Sequence, residues 1–485
     1  MSLDQNTNFS LLRCRSVAGD LVYFTAVGLA LLALATAVGA RRSIADAWRP
    51  GQRLPAAAAQ VLVTGSMLTE VTWVSNRTAT QMAVILAFVS LLLYAELTDT
   101  RLRRHPFRTL RVRFAYNETP IASILALWIW FFGVNLWCTL GEPSNQPLFR
   151  VGSGVALVLF LITQRYRPVR LLHFYSAALT TVVAIVATIP LSADSFSSCS
   201  DFKCNVIGAL LHGPFPSENS LGFAAATCAV LYLLAVPRSR RTALVPVFLC
   251  ATVYASYSRT SLTGLGAVIA LAAVHRLLIP APSRRRPRLL AHLVAAGCSV
   301  IPLVIGMVLV YNADRGAFSQ RGRIWALGRT AASESPLAGR GLDSWSALAH
   351  SGYFGRGFEL YPHSEYLLIY FSGGAVGLFL FSLAIYRITF VAIKAQNSVT
   401  RGAMLPLFFV TAAITESVWN PLSVDLGTWT FFALVATCAP NLRERLAKSP
   451  SPRAATRRRR RRPAVRPASG TSVTKRREAL GRAGR

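Results

Sequence analysis

The chain has 485 residues, 53% hydrophobic and only 15% charged. A soluble protein of this size carries about a quarter charged residues, so a soluble globular class is excluded. The formal net charge of +32 would suit a nucleic-acid binder. Its arginines, however, sit in short connections between apolar runs, which argues for membrane topology and against a nucleic-acid partner.

In chain order the apolar runs are 21–40, 55–75, 79–97, 119–140, 147–164, 171–191, 220–236, 243–257, 262–280, 290–311, 365–387, 403–418 and 427–440. Runs of about 20 residues cross roughly 30 Å of hydrocarbon as helices. The fold class is therefore an all-α polytopic membrane protein with about 12 or 13 transmembrane helices. The first run lacks a small-residue cleavage signal and reads as a retained helix. Clusters of arginine follow at Arg41, Arg42, Arg49 and Arg53, and then at Arg101, Arg103, Arg104, Arg108, Arg111 and Arg113. Three more occur at 165–170, 238–241 and 284–288. They recur at every second connection, which assigns those loops to the cytoplasm. The N-terminal side stays open, because Arg13 and Arg15 pull it inward while an odd number of segments places it outside.

Residues 1–441 thus form the membrane domain, and 442–485 a basic tail. The tail holds six consecutive arginines at 457–462 among Pro, Ser and Ala, without apolar periodicity. It is expected to be disordered, cytoplasmic and in touch with anionic membrane lipids. Cys199 and Cys204 share a loop that the topology places outside, where a structural disulfide is compatible with the redox environment. No cysteine or histidine spacing matches a zinc site.

The same alternation places residues 312–364 outside as one large late loop. It contains Arg315, Arg321, Arg323, Arg329, Arg340 and Arg356, but fewer acids. Either long loops obey the charge rule poorly, or these guanidinium groups form an anion site. Three further stretches are external by the same count. In YSRTSLTG, Arg259 lies among hydroxyls that either cap a helix or frame a cation. In LHGPFPSENSLG, Ser217 or Asn219 suits an N-cap, while Glu218 at the mouth of an apolar helix is less easily explained by structure alone. In YPHSEYLL, His363 and Glu365 stand where the late loop turns into the next helix. Histidine is the side chain best suited to accept a proton near neutral pH.

These stretches, in this order, resemble the O-antigen ligase and O-antigen polymerase superfamily of membrane glycosyltransferases. The resemblance covers about residues 210–380 and rests on G-P-F-x-x-x-N-S-L-G (213–222), S-R-T-S-L-T-G (258–264), S-Q-R-G-R-I-W (319–325), E-S-P-L-A-G-R-G-L (334–342) and P-H-S-E-Y-L with G-x-x-G (362–377). Where the family shows H-N-x-Y-L, this chain has H-S-E-Y-L, which leaves the roles of Ser364 and Glu365 open. The resemblance implies transfer of a glycan from an undecaprenyl-diphosphate carrier to a hydroxyl acceptor, on a glycan or a lipid, at the outer face of a bacterial cytoplasmic membrane. It implies that Arg259 and Arg321 hold the donor diphosphate and that His363 is catalytic. Arg323, Arg340, Glu218, Asn219 and Glu365 are the candidate substrate contacts.

The residue chemistry fits independently. A diphosphate leaves readily once its charge is stabilised, which arginines supply. The attacking hydroxyl must lose a proton, which His363 takes or orients. A single displacement inverts the anomeric centre. No metal or other cofactor is expected, since arginines fill that role and no D-x-D pair occurs in an outer loop. The loop arrangement favours a ligase over a polymerase. The rival reading is a polysaccharide or lipid-linked oligosaccharide transporter, but no internal repeat supports it. Glu70 and Glu416 sit in apolar stretches, but toward their ends, which weakens a proton-coupled transporter.

Overall fold

A computed structural model describes residues 5–71, 76–98, 120–138, 147–164, 168–199, 203–278, 287–318, 321–354 and 362–439. The basic cluster 101–113, Arg165, Arg167, Arg284, Arg285, Arg286, Arg356 and the tail beyond residue 439 lie outside these.

Among the described residues the chain forms fifteen helices. In order they are α1 (Gln5–Ala47), α2 (Arg53–Leu68), α3 (Arg77–Leu97), α4 (Ile121–Cys138), α5 (Pro147–Thr163) and α6 (Leu171–Thr188). After β1 (Phe196–Ser198) and β2 (Ala209–Leu211) come α7 (Glu218–Ala235), α8 (Leu244–Ser256), α9 (Arg259–Leu278), α10 (Pro287–Asn312), α11 (Arg321–Ala332) and α12 (Leu342–His350). The series closes with α13 (Glu365–Gln396), α14 (Val399–Ala412) and α15 (Thr428–Ala436). The two strands pair antiparallel, with Phe196 opposite Leu211.

The protein is an all-α polytopic membrane protein. Every apolar run read from the sequence contains a helix. Among the described residues, eight helices are long and apolar enough to cross a membrane, and Arg150–Thr163, Leu244–Ser256 and Val399–Ala412 are shorter apolar helices. Helices α2, with 16 residues, and α15, with 9, fall below the usual spanning length. Run 403–418 is helical only to Ala412. Beyond it the backbone leaves the helix, and Glu365 N donates to the carbonyls of Ala413 and Glu416 at 2.9 and 3.1 Å.

Polar contacts define two ends of the bundle. At one end Arg240 pairs with Asp46, and Arg401 donates to the Leu234 carbonyl. The α1–α2, α7–α8 and α13–α14 connections meet there. At the other end Thr69 meets Val424, Asn205 meets Ala255, and Asn219 meets Glu416. Helix α7 joins the two ends, and its 18 residues give a rise of about 27 Å. Between them lies an aromatic core in which Phe432 of α15 packs on Phe160 of α5 at 4.7 Å and on Phe88 of α3 at 5.6 Å.

The late loop is a folded cap. Its helices α11 and α12, with Phe354 in the turn that follows, bury Ile324, Trp325 and Trp345 against Leu367 and Phe371 of α13. The cap reaches down beside α13, which breaks at Gly374 (φ 64°). Residues 336–341 fill the break. Ala375 N donates to Pro336 O at 2.9 Å, Arg340 N to Phe371 O at 2.8 Å and Gly341 N to Ser372 O at 3.0 Å. Trp130 Nε1 covers the Gly373 carbonyl at 2.8 Å. Backbone groups freed by a helix break need such partners in an apolar setting. A Cβ at Gly374 would lie 2.2 Å from Leu337 O and would also have to adopt positive φ.

Gly374→Ala should therefore destabilise the cap, by about 1–3 kcal/mol. A lowered melting temperature of the detergent-purified protein is expected. An unchanged value would contradict the tight seating of 336–341 in the break.

Candidate functional site

The loop after α14 carries TESVWNP, residues 415–421. Within it the carboxylate of Glu416 gathers three partners from distant parts of the chain. Its Oε1 accepts from Arg321 Nη2 and from Asn219 Nδ2, each at 2.8 Å. Its Oε2 faces His363 Nδ1 at 3.3 Å. Arg321 also donates to the Thr415 carbonyl, so its guanidinium grips the loop at two points.

Local structure explains why these residues converge. Asn219 lies in the first turn of α7, capped by Ser217, whose hydroxyl accepts from Asn219 N at 3.1 Å. Gly222 lets α7 run close against the α8–α9 turn, since a Cβ there would stand 2.4 Å from Ser258 Cβ. Arg321 opens α11. His363 has positive φ (49°), an uncommon state for a side-chain-bearing residue. It is held in place from the neighbouring residue, because the buried Trp325 donates Nε1–H to the Pro362 carbonyl at 2.8 Å. Glu365 binds the 413–419 loop from the other side. Its carboxylate accepts from Val418 N at 2.9 Å and Trp419 N at 3.2 Å.

Arg259 opens α9 after Tyr257, which is left-handed (φ 48°), and is exposed. Its guanidinium lies 5.9 Å from the Tyr257 ring centre. The next residue, Thr260, meets Thr415 hydroxyl to hydroxyl at 2.9 Å. The Arg259 turn and Arg321 thus flank the same loop.

The remaining candidates are dispersed. Arg323 is exposed, two residues beyond Arg321 and hence about 200° round the helix. Arg340 lies past the far end of α11, about 18 Å from Arg321 by helix rise over 12 residues. There it pairs with Glu334 and lines a separate groove with Trp130 and Trp137. Glu218 pairs with Lys203 at 2.5 Å. Glu365 is fully buried, so its carboxylate shapes the loop from inside. Cys199 and Cys204 form a disulfide, with Cα atoms 4.8 Å apart.

Sequence reasoning noted Glu416 only as an acid in an apolar stretch, not as a site residue, and passed over Lys203. Glu416 sits near the end of an apolar run, and nothing nearby in sequence names its partners. The available signal was energetic, since an acid set in an apolar segment needs a cation or donor. Two arginines of undetermined role were already at hand.

The family model described as O-antigen ligase matches residues 244–382, from the start of α8 into α13. Residues 244–382 are thus similar to an O-antigen ligase domain. No curated protein and no solved structure matches the chain. The O-antigen ligase domain includes Arg259, Arg321 and His363. Glu416 and Asn219 lie outside the matched residues, yet both bond to the site the domain presents.

The site's electrostatics follow from these contacts. Burial pushes the Glu416 carboxyl up, but the His363 hydrogen bond and the Arg321 charge outweigh it and hold it below the ordinary 4.5. An ionised Glu416 can only accept, so neutral His363 keeps its proton on Nδ1 and its lone pair on Nε2. A carboxylate with a depressed pKa adds stability that is present above the unfolded value and lost as pH falls through the folded one. The melting temperature of the protein should exceed that of Glu416→Gln at neutral pH, and the gap should shrink below about pH 4.5. A gap that stays constant into stronger acid would mean that Glu416 is not ionised in the fold.

Proposed function

We infer that the chain is a membrane glycosyltransferase of the ligase or polymerase type, a reading the O-antigen ligase match supports. We propose that the chain transfers a glycan from an undecaprenyl-diphosphate carrier to a hydroxyl of a glycan or lipid acceptor, with Arg259, Arg321 and His363 as the reacting set. The observation that carries this reading is Glu416, which binds Arg321 through one carboxylate oxygen and His363 through the other.

The two halves of the reaction map onto the two oxygens. The acceptor hydroxyl attacks the anomeric carbon and gives its proton to His363 Nε2. Glu416 holds the imidazole by its Nδ1–H and stabilises the charge that develops on it, as a carboxylate does in a catalytic dyad. The anomeric C–O bond breaks, and the diphosphate leaves with the lipid. Arg321 and Arg259 stabilise its charge, and guanidinium forks suit phosphate oxygens. One displacement inverts the anomeric configuration. Arginines carry the electrostatic load, so the reaction proceeds without a metal.

The site end of the bundle is the outer face in this reading, with the tail in the cytoplasm. Two observations support that side. The Cys199–Cys204 disulfide belongs to the site end, and disulfides persist in oxidising compartments. The basic connections around Arg240 and Arg401 gather at the other end, as cytoplasmic loops do.

Arg259→Ala, Arg321→Ala and His363→Ala should each cut transfer by about 100-fold or more, with normal amounts in the membrane. Near-normal transfer by all three would refute the site. Deletion of the gene in its host, followed by sizing of lipid-linked glycans, separates the subclasses. Long polymer trapped on the carrier identifies a ligase, and single repeat units identify a polymerase. If no glycan accumulates on the carrier at the outer face, the transferase reading fails in favour of transport.

A further inference from the structure

Lys203 is a charged residue near the site that the reaction as written does not use. It directly precedes Cys204, so the Cys199–Cys204 bridge fixes the backbone beside it. Its side chain is only 16% exposed. The ammonium group donates to Glu218 Oε1 at 2.5 Å and to Asn219 Oδ1 at 3.1 Å. The other end of the same amide, Asn219 Nδ2, donates to Glu416 Oε1 at 2.8 Å.

This arrangement leaves the amide one orientation. A lysine ammonium only donates and a carboxylate only accepts. Asn219 between them satisfies both when its oxygen faces Lys203 and its nitrogen faces Glu416. Turned over, it would set N–H against N–H and oxygen against oxygen. Lys203 and Glu416 thus favour the same orientation of Asn219, and Lys203 anchors the oxygen end of the amide while its nitrogen end holds Glu416 relative to Arg321 and His363. Glu218 completes the fixture by holding the ammonium from its other side.

We propose that Lys203, held by the Cys199–Cys204 bridge, is a positioning residue for the transfer reaction, acting through the Asn219 amide on Glu416. The proposal rests on the transferase reading for its kinetic consequence, but the chain of contacts does not. Removing Lys203 should loosen the Glu416 carboxylate, whose Oε1 Asn219 shares with Arg321 and whose Oε2 faces His363, while Arg321 keeps its second hold on the Thr415 carbonyl. Turnover should suffer more than donor affinity.

The test is a set of variants in proteoliposomes with an undecaprenyl-diphosphate-linked glycan. Lys203→Met should lower kcat about tenfold, the scale on which outer supporting partners act, with little change in donor KM. Lys203→Arg, which also only donates, should recover most of the loss. In an Asn219→Ala background, Lys203→Met should cost nothing further, because the intermediary is gone. Cys199→Ser with Cys204→Ser should lower kcat in the same direction and add little to Lys203→Met. An unchanged kcat in Lys203→Met, or an equal loss with and without Asn219, would overturn the proposal. If the wild type itself transfers nothing, the transferase reading fails and a second cycle decides the contact chain. Melting temperatures of Lys203→Met and Glu416→Gln, alone and combined, should be non-additive with Asn219 present and additive in Asn219→Ala. Additivity in both backgrounds would refute the link.

Discussion

One carboxylate organises the working end of this protein. Glu416 bonds to Arg321 from the folded cap, to Asn219 from the start of α7 and to His363 from the lead into α13. These elements are far apart in sequence, and each ends in a donor that needs an acceptor. A carboxylate with two oxygens and about four lone-pair sites can serve all three. Burial raises its pKa, and the His363 hydrogen bond and the Arg321 charge more than offset that. Removing any one partner would leave the others aimed at a differently placed charge.

The cap depends on a second constraint, the break in α13. Filling it takes a stretch of backbone with glycines on both sides, Gly339 and Gly341 in the loop and Gly374 in the helix, all at positive φ. The segments E-S-P-L-A-G-R-G-L and G-x-x-G are thus the two halves of one joint. That joint sets the depth at which the cap sits, and Trp325 then carries the position of the cap to Pro362 and His363. The distance between Arg321 and His363 is accordingly fixed by packing at both ends of α11.

Much of the architecture was legible in sequence because its signals are local. Each apolar run announced a helix, and two of the arginine clusters, at 41–53 and 238–241, fall on connections that meet at one end. The family resemblance also lay in contiguous motifs, and the O-antigen ligase match falls on most of them. The site was less legible, because it is made by residues whose meaning is relational. Glu416 looks like a stray acid until Arg321 and His363 are placed beside it. Lys203 looks like a lone surface cation until Glu218 and Asn219 are placed beside it. Arg321 and Arg323 are indistinguishable as letters, and helical geometry alone separates them. Arg340 shares the loop with Arg321, but α11 intervenes and carries it to a different groove. Glu365 stands two residues from His363 in sequence, yet points into the protein interior, where backbone N–H groups claim it.

The most direct test of the account replaces the central oxygen chemistry and leaves the volume unchanged. Wild-type and Glu416→Gln proteins would be reconstituted at matched amounts, and a single turnover followed as release of undecaprenyl diphosphate from a labelled lipid-linked glycan. With an amide in place of the carboxylate, the N–H end must face either His363 or the Arg321–Asn219 pair, so one side of the site loses its acceptor. The wild type should release the lipid diphosphate on forming the new glycosidic bond, while Glu416→Gln should be slower by about 100-fold or more. Equal rates would contradict the claim that this carboxylate organises the transfer.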